Sequence, residues 1–77
     1  MSAQFLYQVG TTLYGEGEHW IARLAEDLGV NERTMRRWLG NESAIPEQVW
    51  DELINIAIGR AREIANLVPK MEQAKSR

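Results

Sequence analysis

One glycine, Gly29, constrains the fold of this chain more than any other residue. It follows a segment in which apolar side chains recur every three or four positions, as they do along the buried side of a helix. These side chains are Trp20, Ile21, Leu24, Ala25 and Leu28. A glycine directly after such a stripe is typical of a helix C-terminus, because the backbone there takes a positive φ that glycine adopts at little cost. We therefore predict a helix that begins near Glu18, ends at Leu28 and is followed by a sharp turn.

A second short helix is predicted directly after this turn, over Glu32–Leu39. Asn31 is a favourable N-cap, and the pair Gly40–Asn41 closes the segment. At about 100° per residue, three arginines of this helix fall within an arc of about 100°. They are Arg33, Arg36 and Arg37, and the apolar residues Met35, Trp38 and Leu39 fall on the opposite side. The sequence therefore predicts a helix that buries one face and presents three guanidinium groups on the other.

A first helix is predicted over Ala3–Tyr14, with Ser2 as its N-cap. Its apolar face consists of Phe5, Leu6, Val9, Leu13 and Tyr14. The segment Gly15–Gly17 then breaks the chain. No segment alternates apolar and polar residues as a strand does.

The last helix is predicted to be the longest. Pro46 is placed as its first residue, and the helix runs to about Leu67, where Pro69 ends or kinks it. Residues 70–77 are polar and are expected to fray. We therefore expect one all-α domain over residues 1–77, a small bundle of four to five helices with a long C-terminal helix over about residues 46–68.

Composition excludes several classes of protein. The chain has no cysteine and one histidine, which rules out disulfides and thiolate or histidine metal clusters, so no metal site or cofactor is expected. No apolar run approaches the ~18 residues of a membrane span, and no charged-then-apolar leader opens the chain, so we expect a cytoplasmic protein. No nucleophile or phosphate loop accompanies the adjacent carboxylates of Glu26 and Asp27, and no small-molecule ligand is evident. We therefore expect no catalytic residues and no enzyme.

The three tryptophans are Trp20, Trp38 and Trp50. A ligand cage is one interpretation of so many aromatic residues in a short chain. Their positions on apolar helical stripes favour core packing instead.

The segment around Gly29 resembles the helix-turn-helix of the Cro/C1-type (XRE-like) regulators of bacteria and phages. The resemblance covers about residues 18–40, with the motif itself at about residues 20–39. Ala25, Gly29 and Val30 match the small residue, the turn glycine and the apolar residue that follows it. Met35 and Trp38 match the two buried positions of the recognition helix, although Met35 replaces the commoner valine or isoleucine. The wording Gly-Val-Asn-Glu-Arg-Thr-Met-Arg-Arg-Trp is especially similar to small members encoded by phages and mobile elements, and regulators encoded beside anti-CRISPR genes have this size.

This resemblance implies a transcriptional regulator that binds double-stranded DNA, most often a repressor. It assigns the groove-facing set to Asn31, Glu32, Arg33, Arg36 and Arg37. We expect Arg33 and Arg37 to contact bases, Arg36 to contact a base or a phosphate, and Glu32 either to accept from a cytosine amino group or to repel wrong sites. The alternative for the three arginines is an ordinary solvated face.

Two further residues are assigned supporting contacts. His19 lies at the start of the helix before the turn, which in this family often lies beside a phosphate, and the alternative is a surface histidine without a role. Thr34 is expected either to reach a phosphate or to satisfy the start of its own helix.

The long helix carries a second pattern. Seven apolar residues are spaced 4, 3, 4, 3, 4 and 3, like the seam of a coiled coil: Trp50, Ile54, Ala57, Ala61, Ile64, Val68 and Met71. Val49, Leu53 and Ile56 add a second stripe over the first half. We interpret residues 49–57 as completing the core and assign dimerisation to Ala61, Ile64, Ala65 and Val68. The alternative is a helix that folds back on its own core. A homodimer presents two recognition helices to inverted half-sites about 34 Å apart.

The charge of the chain keeps a second function open. Its net charge is −2, and residues 16–32 hold five acidic residues against Arg23, whereas the basic turn at 33–37 holds no acid. A chain that is acidic overall does not bind nucleic acid through a large net positive charge. The alternative is therefore a protein-interaction module with the same fold, such as an antitoxin-like protein or a phage packaging or assembly adaptor.

Overall fold

The computed structural model describes residues 3–17 and 19–76. These residues form four helices and no strand, as the all-α prediction requires. The helices are α1 (Ala3–Tyr14), α2 (Trp20–Leu28), α3 (Glu32–Leu39) and α4 (Glu47–Lys75). Helices α1, α2 and α3 pack on one another, and α4 packs against α2.

The core lies where the first three helices meet. Leu6 of α1, Leu24 of α2 and Met35 of α3 are fully buried, and each such side chain contributes roughly 1.5–3 kcal/mol. Trp20 and Trp38 are also buried in this cluster, which confirms core packing for these two tryptophans. The predicted stripe of α2 is confirmed at its other positions too, because Ala25 and Leu28 are buried and Ile21 is half-buried against the same cluster.

The turn after α2 is the predicted one. Gly29 has a φ of 73°, in the left-handed region. Its N–H donates to the Glu26 carbonyl at 3.1 Å, and the Val30 N–H donates to the Ala25 carbonyl at 3.0 Å. These two bonds form a Schellman motif, which satisfies carbonyls that the helix leaves unpaired at its end. The direction of the chain into α3 is therefore fixed by backbone hydrogen bonds.

The predicted start of α2 near Glu18 lies outside the described residues, and α2 begins at Trp20.

Helix α1 has its predicted bounds, and its predicted apolar face is confirmed except at Phe5: Leu6 is in the core cluster, Val9 and Tyr14 pack against it, and Leu13 is half-buried. Ala3, Leu6 and Gly10 are buried, whereas Phe5 is 37% exposed. The assignment of Phe5 to the buried face is wrong because its ring stacks on Trp50 at the edge of the core, with ring centroids 5.7 Å apart. The predicted N-cap, Ser2, lies outside the described residues.

Gly10 is buried because the Trp20 ring lies directly against its backbone. A Cβ atom at Gly10 would overlap that ring. Tyr7 also contacts the Trp20 ring in an edge-to-face arrangement, with centroids 5.2 Å apart. The glycine that weakens α1 locally is therefore required by the close approach of α1 and α2.

Tyr14 joins three helices through its hydroxyl and its ring. The hydroxyl donates to the Asp27 carboxylate on α2, and the guanidinium groups of Arg23 and Arg60 lie 5.6 and 5.4 Å from the ring centroid. Burial and the hydrogen bond to Asp27 raise the pKa of Tyr14 to about 12. Arg60 also donates from Nη1 to the Leu13 carbonyl at 2.8 Å, so α4 caps the end of α1.

Helix α4 is longer than the sequence predicts. It begins at Glu47, one residue after the predicted start at Pro46, and it continues through Pro69 to Lys75. The predicted end near Leu67 and the fraying of residues 70–75 are therefore wrong. A proline inside a helix removes one backbone donor and its ring crowds the carbonyl four residues earlier, at a cost of about 3 kcal/mol. The residues that follow Pro69 are Lys, Met, Glu, Gln, Ala and Lys, which are strong helix formers and favour continuing the helix.

Only one stripe of the first half of α4 reaches the core. Val49 and Leu53 are buried, and Trp50 and Ile56 are half-buried. Ile54 and Ala57 are exposed, so the prediction that residues 49–57 together complete the core holds only in part. Residues 61–75, called the α4 arm below, are exposed throughout, and α4 does not fold back on the core. Of the helices in residues 3–17 and 19–76, none has both the length and the apolar character that crossing a membrane requires.

The Gly10–Trp20 contact predicts opposite effects for two glycine substitutions. Gly10→Ala should lower the free energy of unfolding by roughly 1–2 kcal/mol, because displacement of the Trp20 ring outweighs the gain in helix propensity. Gly59→Ala is the matched control, since Gly59 is also helical but has open space around it. It should raise the free energy of unfolding by about 0.5–1 kcal/mol. Urea denaturation followed by circular dichroism measures both, and equal effects would contradict this account of Gly10.

Candidate nucleic-acid interface

Helix α3 has the two faces that the sequence predicts. Met35 and Trp38 are buried, whereas Arg33, Arg36 and Arg37 are exposed. The buried pair fixes the rotation of α3 about its own axis, because both side chains sit in the core cluster. The three guanidinium groups are therefore presented together on a helix whose orientation is set by packing.

The start of α3 is capped by Asn31. Its Oδ1 accepts a hydrogen bond from the Thr34 N–H at 2.7 Å, and its backbone is extended, with a φ of −84° and a ψ of 160°. This confirms the predicted N-cap. Thr34 is half-buried, and its backbone N–H is the donor that Asn31 caps. That the Thr34 side chain satisfies the helix end stays a prediction. Its contact with a phosphate stays a prediction.

Two carboxylates share the surface with the arginines. A shallow depression is lined by Glu32, Arg33, Arg36, Arg37 and Glu42. Glu32 Oε1 lies 3.4 Å from Arg36 Nη2, and both side chains are more than half exposed, so this ion pair contributes at most about 1 kcal/mol. Three guanidinium groups against two carboxylates leave only a small positive excess on this surface.

Glu42 is the residue that sequence reasoning missed. Asn41 has a positive φ of 59°, and the Glu42 N–H donates to the Arg37 carbonyl at 2.8 Å. The chain therefore folds back over the end of α3 and brings the Glu42 carboxylate beside the arginines. The available signal was the pair Gly40–Asn41, which predicted the end of α3 but not the direction of the chain after it.

The predicted site residues are not all brought together. Glu32 and the three arginines line one depression, and Asn31 and Thr34 lie at the N-terminal end of the same helix. His19 is exposed and directly precedes α2, where its carbonyl accepts from the Arg23 N–H at 3.0 Å. The site is therefore centred on α3, and His19 lies apart from it, just before α2.

This arrangement is suited to binding a large, charged partner on an open surface. Guanidinium groups are planar, permanently charged and able to donate two parallel hydrogen bonds to a phosphate or to the O6 and N7 atoms of guanine. Among the described residues, no polar or charged side chain is buried.

Comparisons of the chain with protein-family models, with curated proteins and with solved structures gave no match. The function is therefore inferred from residues 19–40 and their geometry. That geometry consists of a helix closed by a left-handed glycine, a capped second helix and an arginine face opposite the core.

The cap at Asn31 predicts a difference between two substitutions. Asn31→Ala should lower the free energy of unfolding by about 1 kcal/mol, because the Thr34 N–H loses its acceptor. Asn31→Asp is the control, since aspartate caps a helix about as well as asparagine, and its stability should stay close to that of the unchanged protein. Thermal and urea denaturation measure the difference. Equal stability of the alanine and aspartate variants would show that the hydrogen bond contributes nothing.

Proposed function

We propose that this protein is a Cro/C1-type, XRE-like regulator that binds specific sites on double-stranded DNA, with α3 as the recognition helix. The observation that carries the proposal is the arginine face of α3, set opposite two core side chains and positioned by the Gly29 turn. We place the protein in the cytoplasm and assign it repression of transcription rather than catalysis, without a cofactor.

The dimensions of α3 fit the proposal. An α-helix with its side chains is about 10–12 Å in diameter, and the major groove of B-DNA is about 12 Å wide and admits one helix. Arg33 and Arg37 are assigned to base edges. Arg36 is assigned to a phosphate, because its ion pair with Glu32 restrains it on the helix surface.

The charge of the chain determines how it must bind. With a net charge of −2, the chain as a whole repels DNA, so affinity must come from direct contacts by a few arginines. Each phosphate contact releases counterions, and the logarithm of the binding constant should fall with the logarithm of salt concentration by about 0.9 per contact. A shallow but measurable salt dependence is therefore expected.

Arginine variants test the recognition face. Arg33→Ala and Arg37→Ala should each weaken binding to the specific site by about 1–3 kcal/mol, because each removes a bidentate contact to a base, while the fold stays intact. Arg62→Ala is the matched control, since Arg62 is an exposed arginine on α4. Duplexes selected from a random library supply the site, and fluorescence anisotropy measures the affinities.

Two outcomes of this experiment would contradict the proposal. If Arg33→Ala and Arg37→Ala bind the selected duplex as tightly as Arg62→Ala does, the recognition face is wrongly assigned. If selection enriches no sequence and the protein binds no duplex at any salt concentration, DNA binding itself is wrong.

We also propose that the regulator acts as a homodimer formed through the α4 arm. Six large apolar side chains of α4 are 46–56% exposed: Ile54, Ile58, Ile64, Leu67, Val68 and Met71. Burying the exposed half of each is worth about 1 kcal/mol, so two copies gain on the order of 10 kcal/mol. Association costs about 4–15 kcal/mol, so the gain is of the size that a pair of copies needs.

A charge placed on this stripe should separate the copies. Ile64→Asp should yield monomers that fold normally, because Ile64 is 55% exposed within one chain, and these monomers should bind the selected duplex weakly. Asn66→Asp adds the same charge on the opposite side of α4 and should remain dimeric. Sedimentation equilibrium measures the mass, and an unchanged mass for Ile64→Asp would remove the proposed seam.

One observation favours a second candidate function. The carboxylates of Glu32 and Glu42 lie among the arginines, and a surface of mixed charge also suits a protein partner. The alternative is therefore a protein-interaction module, antitoxin-like or acting in phage packaging or assembly. Absence of DNA binding at every salt concentration would favour it.

A further inference from the structure

The α4 arm projects from the body of the molecule. The last long-range hydrogen bond of α4 is the one from Arg60 to the Leu13 carbonyl, and the 15 residues that follow extend about 22 Å beyond it. An apolar stripe runs along this arm and continues onto the body at Trp50, which stacks on Phe5. An occupant of the stripe must therefore cover both the arm and the edge of the body.

We propose that a second copy of this chain covers the stripe in antiparallel orientation, with Ala61 against Ile64 of the second copy. The proposal rests on the homodimer proposed above and adds its orientation and register. The stripe has the spacing of a coiled-coil seam, in which two kinds of position, a and d, alternate. In an antiparallel pair, each a position of one copy faces a d position of the other copy.

The sizes of the side chains favour this orientation. With Ala61 opposite the second copy's Ile64, the same register places Ala57 opposite the second copy's Val68 and Ile54 opposite its Met71. Each alanine then faces a branched side chain, so no layer consists of two alanines. A parallel pair would place Ala57 against Ala57 and Ala61 against Ala61, which leaves two adjacent thin layers between thick ones.

The ends of the stripe favour the same orientation. In the antiparallel register, Lys75 lies over the second copy's Trp50 and beside its Asp51, where an ammonium group is attracted by the ring and by the carboxylate. Asp51 also approaches the second copy's Glu72, and this like-charge contact opposes the pairing, although Lys75, one turn from Glu72, offsets part of the repulsion. In a parallel pair, the two Lys75 side chains would meet at the seam.

The antiparallel register also sets the distance between the two DNA-binding bodies. The residues that join α4 to its body, such as Leu53 and Arg60, lie on one flank of the stripe. In an antiparallel pair these flanks face the same side, so both bodies lie on one side of the helix pair. Along the helix axis, the two Leu53 residues are about 28 Å apart and the two Val49 residues about 40 Å apart. These distances between the points at which α4 joins its body are of the order of one turn of B-DNA, about 34 Å.

Single cysteines test the orientation directly, because the chain has no cysteine of its own. Ile54→Cys and Met71→Cys are prepared separately and then mixed before treatment with a short bis-maleimide. The reach of such a reagent is far less than the roughly 26 Å that separate positions 54 and 71 along one helix. We expect a crosslinked dimer in the mixture but not with either variant alone. A double variant that carries both Ile54→Cys and Met71→Cys should crosslink almost completely. Asn55→Cys, one residue along and on the outer face, should not crosslink with Met71→Cys.

The other outcomes overturn the proposal in distinguishable ways. Crosslinking of each single variant with itself shows a parallel pair. No crosslinking together with a monomer mass in sedimentation shows that a second copy does not cover the stripe. Binding of the crosslinked double variant to the selected duplex is measured separately, so a failure of DNA binding with intact crosslinking contradicts the proposed function and leaves the pairing standing.

Discussion

The burial of Met35 and Trp38 against the first two helices is the interaction on which the rest of the structure depends. These two side chains are the main attachment of α3 to the core, and they determine which side of α3 faces solvent. The turn at Gly29 makes this burial possible, because its left-handed backbone redirects the chain within three residues. The arginine face and the DNA-binding proposal both follow from this packing.

Local signals in the sequence predicted the site well. Gly29 and Asn31 end and begin their helices through hydrogen bonds to residues three to five positions away, so their sequence neighbours contain the needed information. The arginine face followed from helical periodicity alone. The bounds of α3 and the exposure of its arginines were therefore predictable without knowledge of the rest of the fold.

Contacts between distant parts of the chain were not predictable in this way. The link from Arg60 to Leu13 joins residues 47 positions apart, and no pattern in the sequence pairs them. The contact of Gly10 with the Trp20 ring depends on how α1 crosses α2, so the residues around Gly10 do not predict it. Pro69 was expected to end or kink the last helix near Leu67, whereas α4 continues through the strong helix formers after it. The same extension lengthens the exposed stripe that we assign to a second copy.

Chemical-shift mapping by NMR tests the central claim most directly, because it reports both whether DNA binds and where. The ¹⁵N-labelled protein is titrated with the selected duplex and with a scrambled duplex of the same composition. We expect the largest amide shifts at residues 31–37, at lower concentrations of the selected duplex than of the scrambled one. Absence of shifts with both duplexes, or shifts confined to residues outside α3 and its cap, would contradict the account.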